Sequence, residues 1–201
     1  MTTQHTPEEE AVVERREEEE RRLSRIGTLG AIDAAIFLKL NGLYHHPVLD
    51  SAMKALSRVS LHGEIWAAML LTGVIVDPDV GPRALVDVSV VMILVTLTVN
   101  FVLKKIARRR RPFIAQVKAV VVGHRPSDTS FPSGHTAAGF AGAWLMSSHF
   151  HGWGPAFYSL AALIGWSRIY LGVHYPGDVV FGAASGVGLA MAYRWALASF
   201  L

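Results

Sequence analysis

The sequence contains no cysteine, which excludes disulfide cross-links and thiolate metal sites. Charge is scarce as well: 17% of the 201 residues are Asp, Glu, Lys or Arg, against 51% hydrophobic, an apolar balance for a soluble protein. The net charge of +3 is modest, and aromatic residues are not interleaved with the basic run, so no DNA- or RNA-binding module is expected. Internal repeats and low-complexity linkers are missing, and so is any cluster of metal-ligand spacing. No apolar core follows a short basic start, so no signal peptide is expected.

What is present is a polar tail followed by apolar helices. Residues 1–27 read as a charged cytosolic tail: Thr6, Pro7 and Glu9 form a helix-start pattern, and Glu17 and Glu18 precede Arg21 and Arg22 by four residues. Residues 28–44 predict a short or partly interfacial helix carrying Asp33 and Lys39. Residues 45–61 place Leu49, Met53, Leu56 and Val59 at three- and four-residue spacing, the pattern of an amphipathic helix on a membrane surface. Five apolar stretches follow, at about 63–76, 84–103, 134–150, 155–171 and 179–201. In the last, Gly182, Gly186 and Gly188 suit close helix–helix packing.

Three polar islands interrupt these stretches. The first is Lys104, six residues, then Arg111-Pro112. The second is Ser130-Phe131-Pro132-Ser133-Gly134-His135. The third is Ser167-Arg168, five residues, His174, three residues, Asp178. Three permanent cations, two histidines, a hydroxyl, a glycine and a carboxylate are an inventory for holding a phosphate and breaking its ester bond. Each island sits at a helix end, and alternating spans bring them to one side of the membrane. Lys104 and Arg111 share a face if the helix continues through them. Between them, Arg108, Arg109 and Arg110 read better as a basic anchor at the membrane edge. Ser133 reads as an N-cap, and the helix start behind it suits an anion. His45, His46, His62, His124, His149 and His151 match no island and read as loop or interfacial residues.

Lys-x6-Arg-Pro, Pro-Ser-Gly-His and Ser-Arg-x5-His-x3-Asp, in this order, resemble the type 2 phosphatidic acid phosphatase family, which includes membrane lipid phosphatases and vanadium haloperoxidases. The resemblance covers roughly residues 40–200. It implies an all-α, integral-membrane bundle of about five to six helices, formed by residues 28–201, with the active site at one end. It assigns phosphate binding to Lys104, Arg111, Ser133, Gly134 and Arg168. His135 would be the general acid, His174 the nucleophile forming a phosphohistidine, and Asp178 the partner of the other His174 ring nitrogen. The implied enzyme is a lipid phosphate or diphosphate hydrolase in the cell membrane that needs no metal or other cofactor and no nucleic-acid partner. Its site would be extracytoplasmic and its termini cytoplasmic. A polyprenyl diphosphate such as undecaprenyl diphosphate is the first expectation, with phosphatidylglycerophosphate, phosphatidate and a polyprenyl-phosphosugar phosphate as alternatives. A haloperoxidase uses a matching anion pocket, but the long apolar stretches argue against that soluble type. A non-catalytic scaffold is disfavoured by the complete motifs.

Overall fold

The computed structural model describes residues 27–60, 63–77, 81–107, 109–116 and 118–198. The helix start expected at Thr6 and the charged pairs of the tail lie outside these residues. Among the described residues every regular element is helical. They are α1 (Thr28–Asn41), α2 (Pro47–Val59), α3 (Glu64–Val76), α4 (Gly81–Leu97), a one-turn α5 (Pro112–Ala115), α6 (Gly134–His149), α7 (Gly154–Tyr170) and α8 (Pro176–Ala198). A π-helical stretch, Thr98–Leu103, carries α4 on into a last turn, Lys104–Ala107.

Local chemistry explains most boundaries. His46 caps α2 by accepting from the Val48 amide at 3.3 Å, and Pro47 occupies the first turn, where a missing N–H costs nothing. Ser133 caps α6. At α8, Pro176 again opens the helix, and Asp178 reaches back to accept from the Tyr175 amide at 2.9 Å, as in a capping box. The α4 extension ends at Ala107, and Arg111 is extended, with φ −72° and ψ 153°. The continuous helix expected between Lys104 and Arg111 is therefore not formed. Its physical reason is Pro112, whose ring disfavours helical geometry in the residue before it.

α6 is the central helix. It packs most extensively against α7 and α8, and also meets α4. Its buried residues are mostly small: Ala137, Ala138, Gly139, Ala141, Gly142 and Ala143. Small side chains let backbones approach closely, which is how helices associate where lipid removes the usual hydrophobic drive. A Cβ at Gly182 of α8 would lie 2.7 Å from the Ser133 carbonyl oxygen, and one at Gly186 would overlap the Ala137 carbonyl. Gly188, expected to belong to the same seam, faces open space instead. α2 lays Met53 against Tyr170, Leu171 and Val173 at the end of α7. α1 docks through Phe37 and Ala34 onto Ile169 and Tyr175. Buried Asn41 finishes that contact: its Nδ2 donates to the carbonyls of Val120, Ile169 and Tyr170 at 3.0, 3.2 and 3.0 Å, and its Oδ1 accepts from the Val120 amide at 2.7 Å.

The outside of the bundle carries many large apolar side chains. Ile75, Ile93, Phe101, Ile106, Val180 and Trp195 are all exposed. In water such a surface would drive association; in a bilayer it faces its solvent. By length and composition alone, one stretch among the described residues, Arg83–Ala115, is long and apolar enough to cross a membrane. Pro47–Val59 and Glu64–Val76 qualify only together, as a pair bent by 72°. α3, with 13 residues, is roughly 20 Å long at about 1.5 Å per residue, short of a hydrocarbon core of about 30 Å.

The α6–α8 seam yields a stability prediction. Gly186→Ala places a methyl group into the Ala137 carbonyl and should cost about 1–3 kcal/mol. Gly188→Ala should be neutral or slightly stabilising. Thermal unfolding of the two variants in detergent micelles measures the difference, and equal melting temperatures would contradict the close seam.

Candidate active site

The ends of α4, α6, α7 and α8 meet on one side of the bundle, and the loop 116–133 closes over them. That loop is zipped onto the segment after α4. The Ser130 amide donates to the Arg109 carbonyl at 2.9 Å, its hydroxyl to the Arg110 carbonyl at 3.2 Å, and the Thr129 hydroxyl to the Lys104 carbonyl at 3.3 Å. The first polar island is thus laid beside the second by backbone bonds, without the shared helix face.

Lys104 and Arg111 converge on a residue that the motifs do not include. Asp128 accepts from Lys104 Nζ at 2.6 Å and from Arg111 Nη2 at 2.5 Å, and its carbonyl accepts from Arg111 Nε at 2.8 Å. Burial pushes the Asp128 carboxyl up, but the hydrogen bonds and charges of Lys104 and Arg111 outweigh this and hold it at about 2. A depressed carboxylate adds stability that is fully present above its ordinary range and is lost as the pH falls through about 2, so Asp128 is ionised throughout any working range. Arg111 is only 2% exposed. Its Nη1 donates to the Val173 carbonyl at 2.9 Å and lies 3.2 Å from Nε2 of His174.

That last contact fixes the tautomer of His174. A guanidinium N–H only donates, so Nε2 must be the unprotonated nitrogen and the proton sits on Nδ1. Nδ1 lies 3.5 Å from Oδ2 of Asp178, within ion-pair range but without a hydrogen bond. Burial, then the charges of Arg111, Arg168 and Lys104, push His174 well below the ordinary histidine range, with the Ser130 main chain acting weakly the other way. At neutral pH it is a neutral imidazole whose Nε2 lone pair points among cations.

Arg168 is 4% exposed, bonded through Nη1 to the Ser57 hydroxyl of α2, while its Nε–H has no partner. A buried, unpartnered guanidinium N–H is a donor in search of an acceptor. Ser133 accepts from the Thr136 amide at 3.4 Å and its hydroxyl at 2.9 Å, which leaves its own hydrogen free to donate. Gly134 begins α6, so its amide belongs to the first turn, whose N–H groups lack intrahelical partners. A Cβ there would stand 3.0 Å from Asn100 Oδ1 and 3.7 Å from Lys104 Nζ, which places the α6 start against the α4 end. His135 follows on α6; Arg168, His174 and Lys104 surround it electrostatically, and the Ser57 main chain lies beside it. A cavity of about 520 Å³ lined by Asn100, Lys104, Lys105, Asp128 and Thr129 adjoins the cluster.

All the residues singled out in the three islands therefore lie in one cluster. Sequence reasoning missed Asp128, Ser57 and Arg109. Asp128 was findable as the lone carboxylate in the stretch before Pro132. Ser57 carries no signal. Arg109 is not a membrane-edge anchor: it donates to Asp178 at 2.8 Å and to Asp33 at 2.7 Å, and its guanidinium lies 4.0 Å from the Tyr175 ring centre. Chemically the cluster is a set of cations and free amides around a neutral imidazole, able to bind a tetrahedral anion and attack it.

Comparison with known proteins shows which family the chain belongs to. A family-wide sequence model described as the PAP2 superfamily matches residues 84–200. The chain is 31% identical to the undecaprenyl-diphosphatase BcrC of Bacillus subtilis over 72% of its own length and 74% of that protein. It is 33% identical to a decaprenylphosphoryl-5-phosphoribose phosphatase of Mycolicibacterium smegmatis, over 75% and 80% of the two chains. Its fold is similar to the crystal structure of Aquifex aeolicus LpxE, with a TM-score of 0.62, 27% identity, and coverage of 79% of this chain and 92% of that one. A transmembrane PAP2-type phosphatidylglycerolphosphate phosphatase from Bacillus subtilis matches with a TM-score of 0.60 over 91% and 93%; at 22% identity this shows the fold alone.

Asp128 competes for the two cations that an incoming anion would use. Removing its charge should strengthen inhibition by vanadate. The Coulomb term at this range, even at an effective dielectric of about 20, exceeds about 1 kcal/mol, so Asp128→Asn should lower the vanadate inhibition constant about 3- to 10-fold. Weaker inhibition would show instead that Asp128 organises Lys104 and Arg111 for binding.

Proposed function

Because the chain belongs to the PAP2 superfamily, whose members here are membrane lipid phosphatases, we propose that it hydrolyses a polyprenyl diphosphate through a phosphohistidine at His174. The observation that carries the mechanism is the 3.2 Å contact between Arg111 Nη1 and His174 Nε2, which leaves the attacking lone pair on Nε2. Lys104, Arg111 and Arg168, with the Ser133 hydroxyl and the Gly134 amide, hold the phosphate oxygens. Nε2 attacks phosphorus, an N–P bond forms, and the P–O bond to the lipid phosphate breaks. His135 donates a proton to the departing oxygen. Asp178 stabilises the charge that develops on the ring through Nδ1–H. Water then attacks the phosphohistidine with His135 as base, and inorganic phosphate leaves. The three cations supply the charge neutralisation that a metal would otherwise provide, so turnover should persist in EDTA.

Two relatives acting on polyprenyl carriers support the substrate class, as does the cavity beside Lys104, where Lys105 adds a cation within reach of a second phosphate group. The site faces the extracytoplasmic side, with both termini in the cytoplasm. Charge counting does not decide this, since Lys104, Lys105, Arg109, Arg110 and Arg111 lie on the site face, while Arg15, Arg16, Arg21, Arg22 and Arg25 give the N-terminal sequence a comparable number of positive charges. The family resemblance supports the assignment. Ser127→Cys in this cysteine-free chain should react with an impermeant thiol reagent on intact cells; labelling only after lysis would place the site inside.

Phosphate release from a lipid panel, with the histidine variants, tests the proposal. His174→Ala should abolish turnover of every substrate. His135→Ala should cost about 10²–10⁴-fold on phosphatidate, whose alkoxide needs a proton, less on polyprenyl diphosphate and least on nitrophenyl phosphate. Equal losses on all three in kcat/KM, which reports phosphoenzyme formation and not the shared hydrolysis of the phosphohistidine, would show that His135 does not donate a proton. Because His174 is held below its ordinary range, the acid limb of kcat/KM should lie below pH 6.5, the neutral form being the nucleophile.

A further inference from the structure

Asp33 is the one carboxylate of α1, before the region that matches the family, and its side chain is 16% exposed. It does not face solvent as a solubilising charge. Its Oδ2 accepts from Arg109 Nη2 at 2.7 Å, and its Oδ1 accepts from the Gly177 amide at 2.8 Å. Through Nη1 the same guanidinium reaches Oδ1 of Asp178, which is fully buried. The ring of Tyr175 lies under Arg109 and meets Phe37 of α1 edge-on, with centres 5.4 Å apart. Four groups from α1, the segment after α4, and the start of α8 are thus locked together.

The consequence falls on the two oxygens of Asp178. Oδ1 is taken by Arg109. Oδ2 accepts from the Tyr175 amide and is the oxygen that faces His174 Nδ1. A carboxylate free to rotate about its Cβ–Cγ bond would present either oxygen at a variable angle; pinned at one, it presents the other at a fixed place.

We propose that Arg109 and Asp33 are positioning residues for the nucleophile: Asp33 holds Arg109, and Arg109 pins Asp178 so that its second oxygen meets the Nδ1–H of His174. This rests on the reading of His174 as the nucleophile. Neither residue touches the phosphate. Around His174 the charged and titratable groups are Arg111, Arg168, Lys104 and His135, with Asp178 behind it and the Arg109–Asp33 pair behind that.

The two partners carry opposite charge, and this separates positioning from mere support of the fold. Arg109→Met leaves Asp178 uncompensated, which favours the imidazolium, so the acid limb of kcat/KM should move to higher pH. Asp33→Asn keeps an acceptor for Gly177 but removes a negative charge, so the limb should move to lower pH. Arg109→Met should lower kcat about 10- to 100-fold, the range for losing an outer partner that orients a histidine. KM and vanadate inhibition should hardly change. Arg109→Lys should recover part of the loss, which guards against a folding defect in Arg109→Met. In an Asp178→Asn background, Arg109→Met should cost little more.

Trapping of radiolabelled phosphoenzyme separates the failures. Without phosphohistidine at residue 174 in the unaltered protein, the nucleophile reading itself falls. With it present, limbs that stay put or move together in both variants, or a raised KM in Arg109→Met, would overturn the positioning proposal alone.

Discussion

A guanidinium group buried in an apolar bundle must meet an anion or strong acceptors, because its desolvation costs several kcal/mol otherwise. This chain buries Arg111 and Arg168 almost completely and Arg109 in part. The site follows from how each is met. Arg111 meets Asp128 and two carbonyls, and Arg109 meets two carboxylates and an aromatic face. Arg168 meets only a serine hydroxyl and keeps one N–H unpaired. Among the described buried guanidinium groups, the one with an unpaired N–H is Arg168, beside His135 and His174, where a phosphate oxygen would complete its shell. Folding thus stores part of the binding energy as an unmet hydrogen bond.

Meeting these demands constrains the helices. The cations come from the end of α4, the segment after it and the end of α7. Their partners come from α1, the 116–133 loop and the start of α8. They can coincide only if α6, which runs through the middle, lets its neighbours come close. That requirement falls on residues without bulk: the alanines and glycines of α6, and Gly182 and Gly186 on α8. A lipid-facing exterior then costs nothing, since the large apolar side chains displaced from so thin a seam have a bilayer to face.

This division explains what the sequence revealed. The helices were legible because composition and motif position agreed: apolar stretches ended where Lys104, Ser133, Arg168 and Asp178 stand. The cap at Ser133 was legible because capping is local. Whatever depended on long-range pairing was not. Arg109 looks the same as Arg108 and Arg110 in sequence, and only the fold brings Asp33 and Asp178 to it across 76 and 69 residues. The supposed helix through Lys104 and Arg111 failed for a local reason present in the sequence, the proline at 112, which periodicity alone outweighed. Gly188 does not keep the four-residue spacing of Gly182 and Gly186: two residues past Gly186 it lies about 200° round the helix, and it faces open space.

The charge count at the site bears on turnover. Lys104, Arg109, Arg111 and Arg168 bring four positive charges; Asp33, Asp128 and Asp178 remove three. A site holding all four cations uncompensated would grip substrate, transition state and inorganic phosphate alike. Uniform binding of that kind lowers KM without raising kcat, and it retards release of a product that carries the same charge as the group transferred. The carboxylates prevent this in different ways. Asp33 and Asp178 both bind Arg109, so under the proposed mechanism its charge is engaged behind the nucleophile and not on the phosphate. Asp128, half exposed and bonded to both Lys104 and Arg111, would under the proposed mechanism offer those cations an alternative partner when the phosphate departs. Under the proposed mechanism the attraction that remains is concentrated on Arg168 and the free amides, where the oxygens would move as the phosphorus passes through a trigonal-bipyramidal transition state, and there it would discriminate between ground and transition state.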